Sequence, residues 1–454
     1  MRSIMLAAGA VTALALSIGG PLTAHAREAT APRAQGWLVS AYGQVEVPPP
    51  APDVKAELTE LKRIMAKRTP EDIARFQWWA TGGPVYRWNE LAVEEMLDGF
   101  ITVPMVNRHL ALIHAAMDDA VAVAWHHRAS SKRPRPFAAD PSIKAQAPAP
   151  TGPAFPSDHA AAATAAAAVL GYIFPARASI FTAKAEEAIQ SRLLAGVEYP
   201  SDVEAGRAIG KRIAALAIAR GQSDRSDAKW TGEVPQGPGN WKGTNPIAPM
   251  AATWQPWVLA RVDELRPAAP PAFDSEQTKA ALAELKNFAR TPKTNHRAVY
   301  WEVFGGARVH GLWNEIARLK LLEHGETFNA PTTSRALAAL NIAFADAAIA
   351  CWDAKYTYWY VRPAQNDADL KPLFPAPNHP SYPAAHGCLS TAAATALAGI
   401  FPRDRDRLLA HGKEAAEARV WAGIHYRFDI DAGQDIGRKV AEKTLQRAFV
   451  PTGL

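Results

Sequence analysis

Cysteine is scarce in this chain: Cys351 and Cys388 are the two cysteines among 454 residues. They allow at most one disulfide bond, so covalent cross-links do not organise the fold. The sequence leaves open whether the two thiols meet. It favours the simpler interpretation, in which both are small packing residues.

Long apolar runs are also absent after the first 26 residues. No later segment offers about 18 apolar residues without charge or proline, so stable membrane insertion of the mature chain is not expected. Residues 1–26 combine an early arginine, a short apolar run and Ala-His-Ala before Arg27. This layout is typical of a secretory signal cleaved after Ala26. The sequence therefore predicts an exported protein, periplasmic or extracellular.

Positive charge is not concentrated anywhere in the chain. Fifty basic and 44 acidic residues give a formal net charge of +6, and the basic residues are dispersed. This dispersion argues against a nucleic-acid partner. Strand signals are sparse, whereas alanine-rich segments with helical periodicity are abundant. The predicted fold class is therefore all-α.

The chain repeats itself at an offset of 227 residues. Composition bias could match alanines by chance, but it does not match arginine, histidine, aspartate and tryptophan as well. The repeat predicts a duplicated helical unit, that is, two pseudo-equivalent bundles packed as one body. The aligned pairs include Asp119 with Asp346, Trp125 with Trp352, Arg135 with Arg362, His159 with His386, Arg192 with Arg419 and Asp202 with Asp429.

Two cations mark the first motif of the second unit. Lys355 and Arg362 are seven residues apart, and Pro363 follows directly. A step of seven returns to nearly the same face of a helix, so both side chains are predicted to point one way. Proline is then expected to end that helix.

The second motif places a histidine at the start of a helix. Pro383 and an alanine-rich run predict that His386 lies in the first turn, near the backbone N–H of Ala385. Unpaired N–H groups and the positive end of the helix dipole favour an anion there.

The third motif orients an imidazole. Arg419 precedes His425 by six residues, and Asp429 follows it by four. Residues four apart on a helix are neighbours, so Asp429 is predicted to accept a hydrogen bond from one ring nitrogen of His425. The other nitrogen is then unprotonated and nucleophilic, as in a base or nucleophile held by a third group. The three motifs together predict a site for phosphate or an ion of that shape.

In this order and spacing the motifs resemble the signature of the type 2 phosphatidic acid phosphatase and vanadium haloperoxidase superfamily. That signature is Lys, six residues, Arg-Pro; then Pro-Ser-Gly-His; then Ser-Arg, five residues, His, three residues, Asp. The chain departs from it at Ala384, Ala385 and Ala418, where the usual residues are Ser, Gly and Ser. It matches at Lys355, Arg362, Pro363, Pro383, His386, Arg419, His425 and Asp429. The resemblance implies a helical-bundle fold with a duplicated layout.

The resemblance implies two reactions for one pocket. In a vanadium haloperoxidase, His425 would bind vanadate, Lys355, Arg362 and Arg419 would hold its oxygens, and His386 would manage protons while peroxide and a halide react. In an acid phosphatase without a cofactor, His425 would attack the phosphorus of a phosphate ester, with His386 as general acid. The duplication favours the haloperoxidase. A non-catalytic oxyanion-binding protein is the third alternative, and a homodimer stays open.

The first unit carries a substitution at the decisive position. It keeps Arg128, Arg135, His159 and Arg192, but Glu198 stands where the second unit has His425. A carboxylate would repel a bound oxyanion. The first unit is therefore predicted to be a degenerate copy, with its cations neutralised by Glu198 and Asp202.

These inferences divide the chain into five parts. They are a signal peptide (1–26), an N-terminal extension (27–104), the degenerate helical unit (105–220), a Trp- and Pro-rich connection with helices (221–330) and the catalytic helical unit (331–454). Tryptophans in the connection need burial, so it is predicted to be an ordered loop that wraps the helices or roofs the pocket.

Overall fold

A computed structural model describes residues 35–99, 101–146, 150–325 and 329–449. The predicted signal peptide and its cleavage point lie outside these residues. In the described ranges the regular structure is helical, with no β-strand, and an isolated bridge pairs Asn240 with Tyr360. The all-α fold class is therefore confirmed.

Sixteen α-helices run through the described ranges. They are α1 (Val54–Met65), α2 (Pro70–Ala80), α3 (Tyr86–Asp98), α4 (Val103–Ser130), α5 (Pro136–Ala139), α6 (Asp158–Ile173), α7 (Ala178–Leu194), α8 (Pro200–Ser223), α9 (Glu276–Asn287), α10 (Pro292–Glu302), α11 (Val309–Glu323), α12 (Ala330–Tyr358), α13 (Pro363–Asn366), α14 (Ala385–Ile400), α15 (Arg405–Trp421) and α16 (Arg427–Ala448). Short 3₁₀ turns occupy Tyr42–Gln44, Pro175–Arg177, Pro249–Thr253 and Pro402–Asp404, and one π-helical turn spans Val303–Ala307.

Helix boundaries recur at the offset of 227 residues. The starts of α4, α6, α7 and α8 correspond residue for residue to those of α12, α14, α15 and α16. This recurrence is what the repeat in the sequence leads one to expect. A duplication as the origin of the two units stays a prediction.

The two longest helices, α4 and α12, pack against each other at the centre of the molecule. Helices α6 and α8 pack on α4, and α14 and α16 pack on α12. Helix α12 is long and apolar enough to cross a membrane, but its apolar window is wholly buried within the protein. It serves as the core helix of the body, and burial of its side chains stabilises the packing of both units.

Small residues allow α14 to lie close to α16. A Cβ added at Gly433 would come within 2.6 Å of the carbonyl oxygen of Ala384, and one at Gly437 within 2.3 Å of that of Cys388. Real side chains do not tolerate such contacts. The N–H of Ala384 also donates to the carbonyl oxygen of Asp429 at 2.9 Å. The start of α14 is thereby fixed against the first turn of α16, where the predicted site residues lie.

The connection between the units is ordered, as predicted. Asp346 on α12 accepts hydrogen bonds from the backbone N–H groups of Trp257, Val258 and Leu259. Trp241 is buried, and its N–H donates to the carbonyl oxygen of Trp359 at 2.6 Å. The connection therefore wraps the C-terminal unit.

Both cysteines are free thiols buried in the C-terminal unit. Burial and contact with Cys351 raise the pKa of the Cys388 thiol well above its ordinary value. The pair packs α12 against α14, which agrees with the favoured interpretation of two packing residues.

Candidate active site

Four of the predicted site residues line one cavity of about 300 Å³ in the C-terminal unit. They are Ala385, His386, Arg419 and His425. The other three predicted residues, Lys355, Arg362 and Asp429, are buried beside it. The structure therefore brings the three motifs together, although their chemical roles stay predictions.

His425 and Asp429 form the predicted hydrogen bond, with Nδ1 of the ring 2.9 Å from Oδ2 of the carboxylate. The geometry differs from the prediction, because His425 precedes α16 rather than lying on it. Tyr426 is the N-cap of that helix, and Asp429 at the third helical position accepts the N–H of Tyr426 at 3.1 Å. The cap fixes the carboxylate, and the carboxylate orients the imidazole.

Arg362 fixes the tautomer of His425. Its Nη1 lies 2.8 Å from Nε2 of the imidazole. A guanidinium can only donate a hydrogen bond, so Nε2 is the acceptor. The ring proton is therefore on Nδ1, which donates a hydrogen bond to Asp429. Burial, followed by the charges of Arg362 and Lys355, holds the pKa of His425 well below its usual value. The ring is therefore neutral at neutral pH, with its lone pair on Nε2.

Arg362 does not share a helix face with Lys355, so that prediction was wrong. Helix α12 ends at Tyr358, where Trp359 takes a left-handed conformation with φ of 47°. Arg362 is the N-cap of α13, and Pro363 begins that short helix instead of ending the longer one. The two cations therefore reach the site from two separate segments, Lys355 from α12 and Arg362 from the start of α13.

Lys355 is held by backbone carbonyl groups. Its Nζ donates to the carbonyl oxygens of Pro380 at 2.8 Å and Ser381 at 3.1 Å, and also to that of Pro383. All three of its donors are thus engaged in fixing the loop that leads into α14. Its predicted contribution to oxyanion binding is therefore its positive charge, unless an anion displaces one of these carbonyls.

Arg419 offers donors that the protein leaves unused. Its Nη1 donates to Oε2 of Glu302 at 2.6 Å, whereas its Nε and Nη2 are buried without a hydrogen-bond partner among the described residues. A buried, unpaired donor of a charged group costs about 1–3 kcal/mol or more. An anion in the adjacent cavity would remove that cost.

His386 occupies the first turn of α14, as predicted. Its Nε2 lies 2.9 Å from the carbonyl oxygen of Trp301, so this nitrogen carries the ring proton and Nδ1 is the free acceptor. Burial and the charge of Arg419 keep the pKa of His386 well below its usual value. The ring is therefore held neutral, and Nδ1 is a weak proton acceptor on the cavity wall.

The substituted motif leaves its helix without a side-chain cap. Ala384 is the N-cap of α14 and makes no capping hydrogen bond. Neither neighbouring hydroxyl replaces the missing serine at the oxyanion position. Ser381 donates to Oδ2 of Asp429 at 2.6 Å, and Tyr382 donates to the carbonyl oxygen of Ala268 at 2.8 Å.

Ala384→Ser is expected to tighten phosphate binding. The corresponding residue of the first unit, Ser157, accepts the N–H of Ala160 at 3.0 Å, so a serine at 384 would cap α14 and still have its hydroxyl proton to donate. A hydrogen bond to an anion contributes about 1–3 kcal/mol, on the order of tenfold or more in Kd. Isothermal titration calorimetry measures this, with Ser157→Ala as the control that removes a cap without changing Kd. A higher Tm with unchanged Kd would contradict the role assigned to position 384.

Anion affinity is expected to fall as pH rises through about 8. Burial lowers the pKa of Lys355 to about 8, so its positive charge is present below that pH and lost above it. Sulfate keeps its own charge over this range, and its Kd should weaken on the order of tenfold between pH 7 and pH 9.5. Lys355→Arg, whose cation does not titrate there, should show no such change. Equal weakening in both proteins would assign the effect to another group.

The first unit replaces its imidazole with an internal anion, as predicted. Glu198 is buried, with Oε1 3.6 Å from Nη1 of Arg135 and 3.9 Å from Nε of Arg192. These separations are ion pairs rather than hydrogen bonds. The carboxylate therefore neutralises two of the cations that correspond to those of the second unit.

The ion-pair partners predicted for Arg128 and Asp202 in the first unit were wrong. Arg128 pairs with Asp158 at 3.1 Å, not with Glu198 or Asp202. Asp202 lies 3.2 Å from Arg133, an arginine outside the motif. Asp158 stands where the second unit has Ala385, so the first unit has a second internal carboxylate at that position.

Residues 119–225 match the family model of the PAP2 superfamily. The fold agrees with this match. A structure described as the first bacterial vanadium-dependent iodoperoxidase has a TM-score of 0.63 and 20% identity, covering 82% of this chain and 98% of that one. The family match is confined to these residues, and the likeness to the iodoperoxidase is one of fold.

Two further comparisons match proteins with different activities. A bacterial vanadium-dependent chloroperoxidase in its holo form has a TM-score of 0.55 and 15% identity, covering 76% of this chain and 92% of that one. A non-specific acid phosphatase of Providencia stuartii is 37% identical over 54 residues, 12% of this chain and 22% of that protein. The structural likenesses show the fold, and the phosphatase match covers about a fifth of that relative.

The PAP2 match falls on the first unit, which retains two signature serines. Ser157 and Ser191 stand there, whereas the second unit has Ala384 and Ala418. The second unit instead retains His425 and an open cavity. The family match and the cavity lined by predicted site residues therefore lie in different units.

Two residues of the cavity wall were not predicted from the sequence. Glu302 pairs with Arg419, and His379 accepts from Nη2 of Arg362 at 3.0 Å. Glu302 lies at the end of α10, more than a hundred residues before its partner, and no spacing rule connects them. His379 lies in the loop before α14, where no periodic pattern marks it.

Proposed function

We propose that this protein is an exported, vanadium-dependent haloperoxidase-like enzyme of the PAP2 superfamily whose oxyanion site is built around His425. The observation that carries the proposal is the convergence of a neutral, oriented imidazole with the two unpaired donors of Arg419 at one cavity. Fold similarity to bacterial vanadium-dependent peroxidases supports this choice of reaction. Export rests on the layout of residues 1–26.

The residues present fit a tetrahedral oxyanion such as vanadate. The described ranges contain no group of three His, Cys, Asp or Glu residues that could hold a metal ion. The donor set is instead one imidazole lone pair with the cations Lys355, Arg362 and Arg419, which matches the charge of an oxyanion. Vanadate, when bound, would supply the activation of peroxide and the oxidation of halide.

The chain itself contributes binding, orientation and proton handling. Asp429 holds the proton of His425 on Nδ1 and leaves Nε2 free to bind once Arg362 turns its donor toward the anion. Arg419 supplies N–H groups on the cavity wall. His386 could take up a proton at Nδ1 only transiently, because burial and the charge of Arg419 lower its pKa, and it would then return that proton.

A phosphatase is the second candidate function, and the match to an acid phosphatase favours it. The same Nε2 lone pair would attack phosphorus, and Lys355, Arg362 and Arg419 would neutralise charge in the transition state. His386 would protonate the departing alcohol only if it were first protonated, and burial opposes that. Position 384 lacks the usual serine, which supports a third candidate function, oxyanion binding without turnover.

Two assays separate these functions. Purified protein is incubated with vanadate, hydrogen peroxide and bromide for dye bromination, and separately with an aryl phosphate. Bromination that requires vanadate is the expected result. Phosphate release without vanadate would replace the proposal with a phosphatase, and tight vanadate binding with neither activity would leave an oxyanion-binding protein.

A further inference from the structure

Exposed apolar side chains are concentrated at one place on the surface, at the end of α10 and in the π-helical turn that follows it. Val299, Val303 and Phe304 are 47%, 46% and 42% exposed, and we call these three residues the apolar patch. Val299 and Val303 are one helical turn apart, and the ring centroid of Phe304 lies 5.0 Å from that of Tyr300. A contiguous apolar patch, unlike a single exposed apolar residue, marks an interaction surface.

The opposite face of α10 is anchored to the protein. Ala298 and Trp301 are fully buried, and the ring centroid of Trp301 lies 5.1 Å from that of His411 on α15. Arg297 forms an ion pair with Glu414, also on α15. Helix α10 is therefore held on α15 by its inner face, and its outer face presents the apolar patch to solvent.

The charges that surround the apolar patch without an internal counterion are positive. Lys293, His296 and Arg308 are exposed. In the part of the chain that the structure describes, neither Lys293 nor Arg308 forms an ion pair. The one acidic residue between positions 292 and 308 is Glu302, which pairs with Arg419 at 2.6 Å. Lys293 and Arg308 therefore form a cationic rim, one at each end of the segment that carries the patch.

The cationic rim determines what kind of surface can cover the patch. In a twofold dimer the patch would meet its own copy, so Lys293 and Arg308 would face the same cations of a second chain, and like charges repel. A lipid bilayer with anionic headgroups is negative at its boundary and apolar beneath it, which complements both parts of this surface. Lysine and arginine side chains are also long enough to reach headgroup phosphates beside buried apolar neighbours.

We propose that the apolar patch and its cationic rim dock the protein on the surface of an anionic lipid bilayer. The patch enters the boundary between headgroups and acyl chains, and Lys293 and Arg308 contact the headgroup phosphates. The contact is interfacial, so no helix has to cross the bilayer. Glu302 and Ala307, on either side of the patch residues, line the cavity beside His425. Docking would therefore hold that side of the cavity near the membrane, whichever reaction the cavity performs.

Binding is measured on the full protein by flotation with vesicles of phosphatidylcholine, alone or mixed in equal parts with phosphatidylglycerol. The wild type is expected to bind the mixed vesicles, and added salt should weaken this binding. Val303→Ser combined with Phe304→Ser should lower the partition coefficient about tenfold or more, because it removes most of the apolar surface. Arg308→Gln should lower it about fivefold, since one cation near an anionic surface is lost.

Leu319→Ser combined with Leu322→Ser is the matched control. Both leucines are exposed on α11, and Glu315 and Glu323 lie one helical turn on either side of Leu319, so this face has acidic neighbours. The control is expected to bind the mixed vesicles as the wild type does. A second measurement locates the contact. An environment-sensitive fluorophore on Phe304→Cys should shift its emission to the blue on mixed vesicles, whereas the same label on Leu319→Cys should not.

Two results would overturn the inference. One is a wild type that does not bind the mixed vesicles, or that loses as much binding in the α11 control as in the patch variant. The other is self-association in analytical ultracentrifugation that the patch variant abolishes, without vesicle binding, which would assign the patch to a second copy of the chain. Neither result depends on bromination or phosphate release, so the proposed function is tested separately.

Discussion

His425→Ala is expected to abolish whichever activity the protein has, by on the order of 10³-fold or more in kcat. The reason is chemical: Nε2 of His425 is the one oriented, neutral nitrogen that is both on the cavity wall and paired through Nδ1 with a buried carboxylate. Alanine removes the lone pair and leaves Asp429 without its imidazole partner. Bromination and phosphate release, each measured per mole of folded protein, test this.

Glu198→Ala is the matched control in the first unit. Glu198 contacts Arg135 and Arg192 and does not line the cavity, so activity should stay within about twofold of the wild type. Its Tm should fall, since loss of a buried anion leaves two buried arginines without a counterion. If Glu198→Ala were the inactivating change and His425→Ala were not, the active half would have been misassigned.

Asp429→Asn is expected to reduce activity nearly as much as His425→Ala does, by about 10³- to 10⁴-fold, with little change in substrate affinity. Ser381, the N–H of Tyr426 and Nδ1 of His425 all donate to the same atom, Oδ2, so an asparagine keeps these contacts only if its oxygen takes that position. If its amide nitrogen takes that position instead, it donates to Nδ1, and the ring proton must move to Nε2. There it would oppose the N–H of Arg362, which lies 2.8 Å away. The imidazole would lose both its orientation and its lone pair toward the cavity.

Ser381→Ala separates this effect from a general weakening of the carboxylate. It removes one donor to Oδ2 of Asp429 and keeps the negative charge and the bond to His425. Activity is expected to fall by about tenfold at most. One hydrogen bond to a charged group contributes about 1.5–3 kcal/mol, and part of that energy stabilises the folded state and not the transition state. Comparable losses in Ser381→Ala and Asp429→Asn would show that the carboxylate acts through packing and not through the tautomer.

The sequence was sufficient for the helical fold and for which segments form the site. Helix-forming alanine runs are local signals that predict α6 and α14, and the starts of these two helices are related by the 227-residue offset. The hydrogen bond from His425 to Asp429 was also predictable from spacing. Its cause was not, because the contact depends on the cap at Tyr426 rather than on a helix face.

Other parts of the site depend on tertiary packing that spacing does not encode. The end of α12 at Tyr358 follows from the left-handed Trp359, and neither glycine nor proline marks it. The pairing of Glu302 with Arg419 joins α10 to α15 across the fold. The lining of the cavity includes Ile101 and Val103, which lie just before and at the start of α4. Each depends on how the two bundles and the connection lie against one another.

A crystal structure of the full protein soaked with vanadate tests the central claim most directly. One vanadate is expected in the C-terminal cavity, within bonding distance of Nε2 of His425 and accepting a hydrogen bond from Nε or Nη2 of Arg419. Vanadate bound among Arg128, Arg135 and Arg192 of the first unit would contradict it. So would a C-terminal cavity that stays without vanadate while the ion binds elsewhere.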